Sequence, residues 1–157
     1  MQKRVLAGAA AAIAAAVSFI APWEGLRTDA YRDIVGVWTV CYGETNGVVP
    51  DDRHSKDQCD QMLAVQVKAY ADRLNRCIDD GIEARMPQSM KVALYSWAYN
   101  VGISAACGST LVRKANAGDL TGACKELPRW NRAGGRVVPG LSNRRAEEYR
   151  LCMTGLR

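Results

Sequence analysis

The chain has 157 residues, 48% of them hydrophobic and 24% charged. That composition excludes a disordered polyelectrolyte, and the length suits one domain with a core, not two. The formal net charge is +5, and the excess is C-terminal: residues 125–157 hold 8 basic and 3 acidic side chains, while residues 1–124 hold 13 of each sign. A basic surface of this kind is either a solvated helix face or a docking surface for a polyanion such as lipid or an anionic cell wall. No nucleic-acid motif accompanies it, so no nucleic-acid partner is expected.

The N-terminus is an apolar segment. Lys3 and Arg4 precede Val5–Ala21, 17 uncharged residues with nine alanines. As a helix it spans about 25 Å, just short of a hydrocarbon core of about 30 Å. Its six strongly apolar residues offer roughly −3 kcal/mol of insertion free energy, so insertion is marginal. Three readings compete. A cleaved signal peptide fits the charged start, but Phe19 and Pro22 spoil the cleavage site. A permanent anchor is open, although alanine is a poor one. Alanine is also the best helix former in water, which favours a helix that inserts first and is later extracted. Residues 1–22 are therefore expected to be a releasable signal anchor, with the positive end inside, and residues 23–157 the functional domain.

Beyond Glu24, Gly25 breaks the helix. Ile34–Tyr42 is rich in β-branched and aromatic residues and reads as a small hairpin or sheet, with Gly36 and Gly43 as turn points. Thr45–Asp52 is loop. Ser55 opens a helix running to about Ile78, ended by Gly81. Pro87 starts another, closed by Gly102. Shorter helices cover Ser109–Ala117 and Asp119–Leu127, Ala133–Gly140 is a loop, and Ser142–Met153 is the last helix. This order predicts an α+β, mostly helical fold with a small β-sheet lobe, a helical lobe and a ligand cleft between them. Cysteines stand at 41, 59, 77, 107, 124 and 152, with no CxxC, and His54 is the only histidine. A metal site is not expected, nor a cofactor. Disulfides in an oxidising compartment are expected, with all 15 pairings open; the alternative is buried free thiols in a cytosolic protein.

The chemistry is concentrated in residues 23–43. Glu24 sits at a helix end beside Trp23 and Ile20, where partial burial would keep it protonated as a general acid. Asp33 lies on a polar loop and should stay ionised, and Thr39 is in strand context, able to share a water with it. Two carboxylates and a hydroxyl can flank one glycosidic bond, although such spacings alone are common. Their setting is more specific: Glu24-Gly25, Tyr31-x-Asp33, Gly36-x-x-Thr39 and Tyr42-Gly43-x-Thr45 stand in order, followed by Tyr99-Asn100-Val101-Gly102, Trp130–Gly135 and Gly140–Glu147. Over residues 20–155 the chain resembles the phage-type lysozymes, and its alanine-rich start resembles the signal-anchor-release endolysins among them.

The resemblance implies a two-lobed lysozyme-like fold and hydrolysis of the β-1,4 N-acetylmuramic acid–N-acetylglucosamine bond of peptidoglycan, with inversion and host lysis. It implies Glu24 as acid, with Asp33 and Thr39 positioning water. Arg144 matches the arginine that pairs with the glutamate; its charge would oppose the effect of burial. Thr45, Tyr99, Asn100 and Thr110 match saccharide-contacting positions. A monomer is expected, held at the host inner membrane through residues 5–21 and then released to the periplasm. Glu44 departs from the Gly-His-Thr of many relatives, which puts a salt bridge in doubt. No cysteine lies in the N-terminal segment or the triad, so thiol exchange at the active site, known in some relatives, has no support. The rival readings are a non-catalytic peptidoglycan-binding module, a small anchored structural protein and a lytic transglycosylase; Asp33 and Thr39, able to place water, argue against the last.

Overall fold

The computed structural model describes residues 2–157, with side chains described from Leu6 onward. Met1 and the side chains of residues 2–5, including the Lys3 and Arg4 charges that begin the expected anchor, lie outside the described residues. The first helix, α1, runs unbroken from Gln2 to Glu24. Its alanines favour helix, and Pro22 falls in the last turn, where its missing N–H forgoes one bond without ending the helix. Gly25, with φ 72°, takes the left-handed conformation that stops it. Ala12, Ala16 and Ile20, spaced four apart, form one buried face, and the helix packs on α2 (Lys56–Asn75) and α4 (Gln88–Val101). Residues 6–11 are exposed. One continuous helix thus joins the apolar segment to Glu24.

The β lobe is a hairpin of β1 (Arg27–Arg32) and β2 (Trp38–Cys41), antiparallel, with Tyr31 opposite Thr39. The expected hairpin or sheet at Ile34–Tyr42 is met in its second half by β2, while its partner strand β1 lies upstream of that range. Ile34, Val35 and Val37 form the exposed tip instead, because the Asp33 side chain gathers the N–H groups of Val35 and Val37 and Gly36 turns the chain at φ 84°. The β-branched run was a misleading strand signal: local side-chain-to-backbone bonding overrides propensity.

α2 begins at a complete capping box, Ser55 with Gln58. Gly81 lies within a separate short helix, α3 (Asp80–Glu83), and not at the end of α2. α4 is the central helix. Val92–Ala98 are all buried, as a helix enclosed on every side requires, and α1, α2 and α8 (Pro139–Thr154) surround it. Between α4 and α8 come α5 (Ile103–Cys107), α6 (Thr110–Asn116), α7 (Leu120–Cys124) and a 3-10 turn at Leu127–Arg129. The expected loop at 133–140 contains a two-residue hairpin, β3 (Arg132–Ala133) with β4 (Arg136–Val137), and α8 starts three residues earlier than expected, at Pro139, a favoured first helical residue. The fold is mostly helical α+β, as expected.

All six cysteines pair: Cys41–Cys59, Cys77–Cys107 and Cys124–Cys152. The first clips β2 to α2, the second joins the end of α2 to α5, and the third joins α7 to α8.

Candidate active site

Glu24 is the last residue of α1, and its Oε1 accepts a 2.7 Å hydrogen bond from Arg144 Nη1. Arg144 comes from α8 and is only 4% exposed. It crosses the helical core to reach Glu24, also donating to the Ser96 carbonyl of α4 and, through Nε, to Glu148. Glu24 is thus positioned by a helix end and a buried arginine, while about a quarter of its side chain (23%) stays exposed.

Asp33 and Thr39 meet at the peptide of Val37. Asp33 Oδ1 accepts the N–H groups of Val35 at 3.0 Å and Val37 at 2.8 Å. The Asp33 N–H donates to the Val37 carbonyl, and the Thr39 hydroxyl donates to that same carbonyl at 3.0 Å. Thr39 is almost wholly buried. Two consequences follow from donor–acceptor bookkeeping. Asp33 Oδ1 is committed to the turn, which leaves Oδ2 to accept from elsewhere. The Thr39 proton is committed to Val37, so the oxygen presents lone pairs.

Beside this hairpin lies a cavity of about 290 Å³ walled by Glu44, Thr45, Gln66, Tyr70 and Tyr99 over the Cys41–Cys59 bridge. Of the expected saccharide contacts, Thr45 and Tyr99 line it, whereas Asn100 and Thr110 do not. Asn100 is exposed at the end of α4, and the Thr110 hydroxyl, in the first turn of α6, accepts from Arg113. Tyr70 was not anticipated; its ring tilts against Tyr99 at 5.1 Å, an aromatic wall of the type that sugars stack on. Burial, and then the charge of Glu24, push the Tyr99 phenol up to about 12, with Tyr70 and Glu44 adding to the effect. Tyr99 therefore remains a neutral hydrogen-bond donor throughout any working pH.

Glu44 is an anchor of the turn, not a free acid. Its Oε1 accepts the N–H groups of Thr45 and Asn46, its Oε2 accepts from Gln66 Nε2 at 3.0 Å, and its backbone brackets Val40. An amide on α2 replaces the cation or anion a salt bridge would need. Sequence reasoning missed Ser96, Arg145 and Glu148. Glu148 is fully buried, accepts from Ser96 Oγ at 2.7 Å, and pairs with both Arg144 and Arg145. Arg145 Nε and Glu148 Oε2 are 2.6 Å apart but poorly aligned, so that contact is ionic more than a hydrogen bond. The signal was present in the sequence: two arginines followed three and four residues later by a glutamate on one helix face.

The phage lysozyme family model matches residues 21–148. The chain is 41% identical over 133 residues to a SAR-endolysin of Enterobacteria phage P21, a match that spans 84% of this chain and 78% of the relative. Among solved structures it is similar to an endolysin from Escherichia coli O157:H7 phage FAHEc1, with a TM-score of 0.77 at 28% identity over 89% of this chain and 91% of that one. It is also similar to the active form of P1 phage endolysin Lyz, with a TM-score of 0.71 at 31% identity over 91% and 85% of the two chains. The likeness to the secreted inactive form of that endolysin is weaker, at 0.53 and 26% identity over 71% and 77%. Family match, identity and fold agree, and the chain belongs to the phage lysozyme family as a hydrolase of the muramidase type.

Proposed function

We propose that this lysozyme cleaves the β-1,4 bond between N-acetylmuramic acid and N-acetylglucosamine with inversion at the anomeric carbon. The observation that supports this reading is the hydrogen bonding around Val37, which leaves Asp33 Oδ2 and the lone pairs of Thr39 Oγ1 unused by the turn. In the reaction, Glu24 delivers its proton to the leaving O4 of N-acetylglucosamine as the C1–O4 bond breaks. The water oxygen attacks C1 of N-acetylmuramic acid from the other face, and its proton passes to Asp33. Solvent then returns Glu24 and Asp33 to their starting protonation. Tyr99 and Thr45 contact the glycan in the adjoining cavity; Asn100 and Thr110 serve flanking sugars. Mass spectrometry of a peptidoglycan digest tests the bond and the reaction: muropeptides ending in reducing N-acetylmuramic acid support hydrolysis, whereas 1,6-anhydro ends mean transglycosylation and no water directed by Asp33.

Residues 1–22 act as a releasable anchor that holds the chain at the host inner membrane until it passes to the periplasm, where it works on peptidoglycan as a monomer. Leu6–Glu24 is long and apolar enough to cross a bilayer, with a mean hydropathy of 1.8. The same helix packs Ala12, Ala16 and Ile20 into the core, so one segment suits both environments. The greater likeness to the active than to the secreted inactive form of the P1 endolysin supports reading the present fold as the released state. Ala7, Ala10, Ala11 and Ala14 are exposed in this fold. Changing all four to leucine should add roughly 2 kcal/mol to insertion while leaving the packing intact. The variant is expected to stay in the membrane fraction and to lyse cells poorly, with normal activity when assayed on isolated peptidoglycan. Normal lysis timing from a fully expressed variant would refute the release mechanism.

A further inference from the structure

The buried cluster on α8 is larger than a single arginine needs to be. Arg144 is shared by two carboxylates, Glu24 through Nη1 at 2.7 Å and Glu148 through Nε at 3.3 Å. Arg145 draws on the same Glu148 through both its Nη2, at 3.0 Å, and its Nε. Arg144, Arg145 and Glu148 are 4%, 1% and 0% exposed, so the charges act with little screening by water. A buried carboxylate is costly, and burial pushes the Glu148 carboxyl up and the Arg145 guanidinium down. If the sole task were to fix Arg144 in place, the Ser96 carbonyl and hydroxyl already hold its other end.

An arginine with no second anion would favour only the ionised form of Glu24, and a general acid must carry a proton. We propose that Glu148 is a positioning residue that shares Arg144 with Glu24, offsets its charge, and so lets Glu24 keep the proton it delivers to the leaving oxygen. Arg145 sets the strength of this effect by taking part of the Glu148 charge. The inference rests on the reading of Glu24 as the acid. The other titratable groups tied to this pair are Tyr99 of α4, a neutral phenol whose titration responds to Glu24 and Arg144, and Glu44, which acts on the same phenol. None of them is altered in the test, so a shift reports on α8.

The test is the pH dependence of kcat on purified peptidoglycan for the full chain, with Glu148→Gln and Arg145→Gln. Removing the Glu148 charge should move the alkaline limb of the profile to lower pH by about one unit. Removing the Arg145 charge leaves Glu148 to Arg144 alone and should move the same limb to higher pH. A purely structural role would lower kcat or Tm without moving either limb. Profiles that superimpose on the parent, or that move in the same direction for both variants, overturn the proposal. If Glu148→Gln does not fold, Arg145→Gln decides by itself: an upward shift supports the proposal, and no shift or a downward one overturns it. Glu24→Gln, assayed in parallel, separates the two levels. If it retains the parent rate, the assignment of the acid fails; if it is inactive while the limbs stay fixed, only the role of Glu148 fails.

Discussion

Replacing Glu24 with glutamine is expected to lower the rate of peptidoglycan hydrolysis by 10²-fold to about 10⁴-fold, the usual contribution of a positioned general acid. The substitution removes the transferable proton and one of the two carboxylates paired with Arg144. The glutamine carbonyl can still accept from Arg144 Nη1, while Nε stays paired with Glu148 and Nη2 with the Ser96 carbonyl. The thermal midpoint should therefore stay within a few degrees of the parent, and co-sedimentation with peptidoglycan should persist. Turbidity of outer-membrane-permeabilised cells measures the loss. Unchanged lysis by a folded Glu24→Gln chain would mean that some other group protonates the leaving oxygen. Intact binding without cleavage in this variant alone would also dispose of the idea of a non-catalytic binding module.

Reduction of the disulfides is expected to have the largest effect on stability. The bridges close loops of sequence separation 18, 30 and 28. Chain-entropy arguments assign about 3 kcal/mol to each. Their sum, about 10 kcal/mol, is comparable to the whole stability of an ordinary domain. Calorimetry with excess reductant should lower the thermal midpoint by 20 °C or more for a chain of this size. A drop of only a few degrees would show that the packing around α4 suffices and that the bridges are incidental. The Cys41–Cys59 bridge has a local role as well. It lies two residues beyond Thr39 and floors the cavity, so Cys41→Ala/Cys59→Ala should weaken activity more than either of the other paired deletions.

Much of this architecture was legible in the sequence because its signals were local. Ser55, Pro87, Gly102 and Ser109 are starts and stops with a short-range physical cause, and the structure places helix ends at each. The alanine-rich start was equally plain as a helix. The hairpin was less legible. Residues 27–32 are mostly polar and charged, with no apolar/polar alternation, while Ile34, Val35 and Val37 mimic a strand yet form the turn that Asp33 organises. The pairing of cysteines depends on long-range packing and has no local signature. Of the site, Glu24, Asp33, Thr39 and Arg144 could be named from motif order, but the manner in which they are held could not. The Val37 peptide that joins Asp33 to Thr39, and the Glu148 that shares Arg144, are properties of the folded chain. Asn100 and Thr110 match the family pattern in sequence but lie outside the cavity that Thr45 and Tyr99 line, as do Glu24, Asp33 and Thr39.

The account centres on a water held by Asp33 and Thr39 that attacks directly as Glu24 protonates the leaving sugar. The anomeric configuration of the first-formed product, followed by proton NMR before mutarotation equilibrates it, tests this most directly. Direct attack on the β-linked substrate predicts the α-anomer of the new reducing end. Initial formation of the β-anomer would contradict it, since retention requires a covalent intermediate that a water-placing Asp33–Thr39 pair does not provide.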